Sequence, residues 1–151
     1  MTRAEFDAYL ARAVPSYAHD LVGNTAIPRA EADRLAERAL AEILPDGWDT
    51  RDHRFLVAAD EATGERVGIL WLAVQRRAGA QALWIYDIAV DEPLRGRGYG
   101  RALMAHVEEL AVADGIGRIE LNVFRDNTRA RTLYASLGHT EMSRQMYKTI
   151  A

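Results

Sequence analysis

Apolar residues recur at helical spacing in two N-terminal stretches, switch to strand-like runs near His53, and return to helical spacing after Gly98. Thr2 and Glu5 form a capping box ahead of Phe6, Tyr9, Leu10, Ala13 and Tyr17. Pro15 falls inside that stripe and is expected to bend or interrupt the helix. A second helix is predicted from near Pro28 through Leu35, Ala39 and Ile43, stopped by Pro45 and Gly47. Arg38 and Glu42, four apart, read as its solvated face. From His53, "RFLVAAD" and "RVGILWLAVQRR" around the turn "EATGE" predict two hairpin-linked strands, and "ALWIYDIAV" a third. These runs are apolar on both faces, so helices should cover both sides of the sheet. Leu103, Met104, Val107, Leu110 and Ala111 mark one stripe of a helix ending at Asp114-Gly115. "RIELNVF" then alternates, with Ile119, Leu121 and Val123 facing one way and Glu120, Asn122 and Phe124 the other. A further helix is expected from Asn127 to Leu137 with Gly138 as its stop, leaving "HTEMSRQMYKTI" for two short closing strands.

Composition narrows the picture. A chain of 151 residues without repeats or a linker suits a single domain, 1–151. The absence of cysteine excludes disulfides, thiolate metal sites and a cysteine nucleophile. No apolar run approaches the ~18 residues of a membrane helix, so no membrane partner and a cytoplasmic location are expected. A net charge of −3 argues against nucleic acid as a partner, because phosphate-tracking proteins carry a basic excess or face.

One basic cluster stands out. "DEPLRGRGYGRALM", residues 91–104, places three glycines and three arginines between a strand ending at Val90 and a helix beginning near Gly98. Such a junction gathers unpaired backbone N–H groups, to which the helix dipole adds about half a positive charge. Glycines let an oxygen-rich ligand approach the main chain, and Arg95, Arg97 and Arg101 can add charge at the rim. A pyrophosphate would suit this cradle. It is not a P-loop, since Gly100 is followed by Arg101-Ala102, and Gly96, Gly98 and Gly100 do not match the dinucleotide spacing.

Taken together, "VDEPLRGRGYGRALM" and "LNVFRDNTRARTLYASLGH" resemble the two central motifs of the GNAT superfamily of acyl-CoA-dependent N-acetyltransferases. Arg95, Gly98 and Gly100 match the first motif, and Asn127, Leu133, Tyr134 and Gly138 the second. The match covers about residues 66 to 140. It implies a mixed α/β fold with a largely antiparallel twisted sheet, helices on both faces, and a parallel strand-helix-strand unit splayed around the CoA site. It further implies that backbone N–H groups of Arg95, Gly96, Arg97, Gly98, Tyr99 and Gly100 bind the pyrophosphate of acetyl-CoA, with Arg101 among the cofactor-binding residues. The pantetheine arm would pair with main chain at Ile88, Ala89 and Val90, whose N–H groups would polarise the thioester carbonyl.

The resemblance also assigns chemistry. Asn127 and Tyr134, seven apart, share a helix face about 20° wide, roughly 10 Å apart along the axis. By resemblance Asn127 contacts the pantetheine and Tyr134 protonates the leaving thiolate, a general-acid role. The attacking amine must lose a proton, and Asp87 is the candidate acceptor. Asn122 stands where family members often carry glutamate, so a water chain to solvent is the other route. His139 replaces a usual phenylalanine and reads as packing. His19, His53 and His106 show no ligand spacing, so no metal is expected. Trp84 and Tyr86 alternate onto one face, and Tyr17, Trp48 and Trp71 could join them, either as core or as a substrate cage. The implied function is acetyl transfer from acetyl-CoA to a primary amine in a ternary complex. The alternative is a catalytically silent acyl-CoA-binding sensor, and the closing strands are candidates for a homodimer contact.

Overall fold

The computed structural model describes residues 1–77, 79–146, 148 and 150. The chain forms two compact units, residues 1–9 with 44–122, and residues 10–43 with 123–151. Helix α1 (Arg3–Thr25) begins in the first unit, where Thr2 and Glu5 make the predicted capping box: Thr2 N–H donates to Glu5 Oε2 at 2.6 Å and Glu5 N–H to Thr2 Oγ1 at 3.3 Å.

The first unit is a four-stranded sheet, β1 (His53–Ala59), β2 (Arg66–Arg77), β3 (Ala80–Val90) and β4 (Ile119–Leu121), in that spatial order. The first three strands pair antiparallel and β4 pairs parallel to β3, the connection being helix α3 (Tyr99–Ala113). This is the mixed sheet expected, with the parallel strand-helix-strand unit in place. One face carries Leu70, Leu72 and Leu83, which are fully buried, as are Met104 and Val107 of α3. The other face carries Phe55 and Trp71, on which Phe6 and Tyr9 of α1 pack with ring centroids 4.5 and 6.3 Å away. Helix α3 ends as predicted, with Gly115 at φ 68 and paired bonds from Gly115 N–H to Val112 O and Ile116 N–H to Ala111 O.

Strand β3 is not regular. Trp71 pairs with Asp87 but Leu72 with Ile85, so Tyr86 is an extra residue, a β-bulge. Leu83 and Ile85 point to the α3 face, whereas Asp87, beyond the bulge, opposes Trp71 on the face covered by Phe6 and Tyr9. The parallel pairing with β4 also stops here, its last pair being Ile85 with Leu121. The predicted alternation through Phe124 is therefore cut short, and Asn122, Val123 and Phe124 are not in a strand. Their partner on β3 has been turned away by the bulge.

In the second unit α1 continues through Pro15 rather than breaking there. One lost backbone bond is offset by packing, since Ala18, Ala32 and Ala36 form a buried cluster surrounded by Val14, Leu21, Val22 and Ile27. Helix α2 (Arg29–Ile43) thus buries an alanine ridge, and Leu35, expected in the buried stripe, is 38% exposed. Alanines let two helices approach closely, which a leucine ridge would prevent. Its surface carries an Arg29–Asp33 ion pair at 2.7 Å. Helix α4 (Thr128–Ser136) follows, and Gly138 at φ 86 closes it, with His139 N–H on Tyr134 O at 3.0 Å. The described residues beyond it form no strand, although Tyr147 and Thr149 of the expected closing strands lie outside the described residues. Met142, Met146 and Ile150 are 66, 84 and 85% exposed, so these three side chains add little to the buried apolar surface.

Candidate functional site

The arginine-glycine turn has the geometry that its sequence suggests. After a short 3-10 turn (Glu92–Leu94), Gly96 and Gly98 take φ of 84 and 93, left-handed values that disfavour any side chain with a Cβ. Gly98 is the N-cap of α3, and the first helical bonds run from Arg101 N–H and Ala102 N–H to its carbonyl at 3.0 and 3.1 Å. The N–H groups of residues 96–100 precede these bonds, so the helix offers them no acceptor. They converge at the positive end of a 15-residue helix.

Neighbouring side chains hold the turn rather than fill it. Arg95 Nε donates to Val90 O at 3.1 Å, and Arg66 pairs with Asp91 at 3.2 Å. Tyr99, predicted among the cofactor-binding residues, points its hydroxyl to Asp60 Oδ2 at 2.8 Å. Asp60 in turn organises the β1–β2 turn, its Oδ1 accepting from Ala62 N–H and Thr63 N–H at 3.0 Å each. The Tyr99 hydroxyl, together with those backbone bonds, lowers the Asp60 pKa, and the same bond raises that of Tyr99. Both therefore keep the donor-acceptor arrangement at neutral pH. Gly68 pairs with Val90 across β2 and β3, where the backbones approach so closely that a Cβ on residue 68 would lie 2.1 Å from Ala89 O.

Asp87 lies on β3 three residues before its end at Val90, and its Oδ2 accepts from the Tyr9 hydroxyl at 2.8 Å. Burial, followed by the Asp87 charge, drives the Tyr9 phenol far above its ordinary range, so it stays protonated and donates. Beside this pair lies an aromatic stack that the sequence only hinted at. Tyr86 stacks on Trp71 at 4.6 Å and on His53 at 5.4 Å, and Trp71 Nε1 donates to His53 Nδ1 at 2.9 Å. The indole bond fixes the neutral His53 ring with its proton on Nε2. Burial lowers the His53 pKa, against a smaller opposing pull from Asp52. Neither partnership shows in spacing, because Tyr9 and Asp87 are 78 residues apart. Ile88, Ala89 and Val90 lie on the stretch of β3 with no β4 partner, where the Val90 carbonyl accepts from Arg95 Nε.

The second unit carries the other predicted residues. Asn127 is the N-cap of α4, its Oδ1 accepting from Ala130 N–H at 3.1 Å, which leaves its amide nitrogen to donate elsewhere. Tyr134 lies two turns along α4, half-buried, with its ring 5.7 Å from that of His139. His139 thus packs against Tyr134, as its sequence position suggested. Sequence reasoning missed a cleft of about 230 Å³ lined by Asp20, Asn24, Phe124, Asp126 and Asn127. Burial raises the Asp20 pKa, opposed by the neighbouring His19 charge. The only advance signal was the i, i+4 spacing of Asp20 and Asn24 on α1. Among the described residues, no group of three His, Asp or Glu side chains is placed to hold a metal ion.

Comparison with known proteins gives the same outline. Residues 24–139 match the Acetyltransferase (GNAT) family. The chain is 32% identical over 151 residues to the uncharacterized N-acetyltransferase YycN of Bacillus subtilis, covering 99% of this chain and 96% of that protein. The crystal structure of YycN superposes with a TM-score of 0.92 at 30% identity, covering 100% and 96% of the two chains. A mycothiol acetyltransferase of Jonesia denitrificans is 31% identical over 116 residues, which are 77% of this chain but 36% of that protein.

Proposed function

Because the chain belongs to the GNAT acetyltransferase family and is an acyltransferase, we propose that it moves an acetyl group from acetyl-CoA to a primary amine by direct attack in a ternary complex. The observation that carries the choice of donor is the cradle: two left-handed glycines, a run of unpaired N–H groups and the start of α3 fit a pyrophosphate. The donor would supply a thioester-activated acetyl group. The N–H groups of residues 96–100 would hold its diphosphate, since those of Arg95 and Arg101 are taken by Glu92 O and Gly98 O, with the Arg97 and Arg101 side chains as further cations. Ile88, Ala89 and Val90 would offer main-chain bonds to an extended arm along the unpaired side of β3, and an N–H there would polarise the acyl carbonyl. Asn127 would contact the same arm through its free amide nitrogen.

Tyr134 is the proposed general acid, delivering its phenolic proton to the sulfur as the carbon–sulfur bond breaks. Asp87, steadied by Tyr9, is the proposed acceptor for the proton that the amine gives up, directly or through water. The chain contains no cysteine to carry an acyl intermediate, which favours direct transfer. No helix among the described residues is long and apolar enough to cross a membrane, and a cytoplasmic setting, where CoA thioesters are made and used, fits the reading.

Calorimetric titration with acetyl-CoA, dephospho-CoA and ATP tests it. Binding of acetyl-CoA, largely kept by dephospho-CoA and absent with ATP, is the expected pattern. Absence of acetyl-CoA binding would overturn the choice of donor and return the turn to a structural corner.

A further inference from the structure

One buried ring touches both side chains that direct Asp87, and a histidine holds that ring. Trp71 is buried and lies directly across from Asp87 in the register of β2 and β3. Its indole stacks on Tyr86, the extra residue of the bulge, with centroids 4.6 Å and planes 21° apart. The ring of Tyr9, whose hydroxyl donates to Asp87 Oδ2, meets the indole edge-to-face at 6.3 Å and 83°. The carboxylate thus takes its direction from the bulge and from Tyr9, and both rest on Trp71. Gln75 Nε2 donates to the Tyr86 hydroxyl at 3.0 Å and ties down the far end of that ring. Trp71 is oriented in turn by the bond from its Nε1 to His53 Nδ1 at 2.9 Å. His53 also stacks on Tyr86 at 5.4 Å, so the three rings form one packed unit.

A buried indole N–H needs an acceptor, and an imidazole offers one at Nδ1 only while that nitrogen carries no proton. A proton there sets two N–H groups against each other and strips the Trp71 donor of its partner. The rings must then shift, and Tyr86 and Tyr9 shift with them. Asp52, beside His53 at the entrance of β1, is engaged by Arg76 of β2 at 2.6 Å. Tyr86 of β3 and Tyr9 of α1 are the phenols packed on the same rings. Burial outweighs the pull of Asp52, so the ring is neutral at pH 7 and its hold on Trp71 is in place. We propose that His53 is a positioning residue for Asp87: through Trp71, its neutral ring keeps Tyr9 and the Tyr86 bulge in the arrangement that directs the carboxylate, and its protonation releases them. The acetyltransferase reading enters only in giving Asp87 its task as proton acceptor. The coupling itself stands on the ring contacts.

NMR titration of the full chain between about pH 4 and 8 tests the coupling without any acceptor amine. It follows the Trp71 indole N–H and the Asp87 carboxyl carbon, the latter identified by its loss in Asp87→Asn. The Trp71 signal should move with the midpoint of the His53 ring protons, and the Asp87 carbon should show that step besides its own titration. His53→Asn puts an amide oxygen where Nδ1 accepts and does not titrate, so it should keep both signals near their neutral-pH positions and erase the step. His53→Leu offers no acceptor and should displace both signals throughout. Trp71→Phe keeps the His53 charge but removes the link, and should also erase the step from the Asp87 carbon. Thermal melts check that each variant folds, and native against His53→Asn decides the matter if the other two do not. An Asp87 carbon without the His53 step in the native chain would overturn the proposal, as would a step that persists in Trp71→Phe, which would be the field of the charge alone. Intact coupling in a chain that binds no acetyl-CoA by calorimetry would instead sink the choice of donor and leave His53 positioning Asp87.

Discussion

Gly68→Ala places a single methyl group where β2 and β3 converge on the cradle. The new Cβ would lie 2.1 Å from Ala89 O, 3.1 Å from Ala89 C and 3.2 Å from Val90 Cα. Ordinary contact begins at 3.4 Å, so the first distance is short by more than 1 Å, and all three obstacles are backbone that cannot rotate away. The strands must part locally. Overpacking of this kind costs about 1–3 kcal/mol, and each of one or two lost ladder bonds adds roughly 0.5–1.5 kcal/mol. A loss of about 3 kcal/mol, at roughly 2–4 °C per kcal/mol for a domain of this size, lowers Tm by some 6–12 °C. The displaced Val90 carbonyl also holds Arg95, so acetyl-CoA affinity should fall as well. Differential scanning calorimetry and a CoA titration read the two effects. Gly117→Ala, whose Cβ meets nothing within 4 Å, is the control and should leave both unchanged. A Gly68→Ala protein melting within 2 °C of the native one would refute the reasoning, because the strands would then have slack that the register does not suggest.

Other outcomes follow from the same geometry. Tyr134→Phe should keep CoA affinity and lower kcat by about 10²-fold or more if its hydroxyl is the acid, read by thiol release at saturating donor. Tyr99→Phe removes the bond to Asp60 and should raise the KM for acetyl-CoA severalfold with kcat nearly unchanged, since it loosens the cradle without touching the reacting atoms. His53 has a depressed folded pKa, so its neutral form contributes stability that is complete above its unfolded pKa and erodes as pH falls through the folded value. His53→Phe should therefore flatten the fall in Tm on acidification below about pH 6.5, and an unchanged slope would show that the Trp71 bond carries no such linkage. Gly23→Ala, in helical backbone with nothing within 4 Å, should stabilise by about 0.5–1 kcal/mol in urea unfolding.

The elements legible in sequence were those specified locally. Gly98 and Gly115 bound α3 because left-handed residues at those points are a backbone requirement, and Asn127 caps α4 through its own side chain. Thr2 and Glu5 speak to each other across three residues. What failed was decided at a distance. Pro15 reads as a break until Ala18 is seen against Ala32 and Ala36, and those alanines displace Leu35 from the buried stripe. The alternation of residues 119–124 is genuine as a pattern, yet a strand needs a partner, and β3 withholds one beyond Ile85. The candidate site divides in the same way. The cradle was visible as a glycine-arginine turn, whereas Tyr9 on Asp87 and Trp71 on His53 join strands and helix far apart in the chain. Asp20 and Asn24 were visible only as a spacing, and their pairing with Phe124 and Asn127 depends on the fold.

The extra residue in β3 gives the strand a counted length. Up to Ile85 the odd-numbered positions belong to the α3 core; from Asp87 the odd-numbered positions belong to the opposite side. Tyr86 is where the parity changes. Straightening the strand into a regular pleat with Tyr86 retained would put Asp87, the one carboxylate of the strand, on the same face as Ile85 and send it toward Leu70 and Leu72 instead of toward Tyr9. A graft of the cradle onto another sheet must therefore carry the miscount with it. What looks like an irregularity in pairing works as an addressing device, and a strand of ideal pleat with the same composition would deliver its polar side chain into the core.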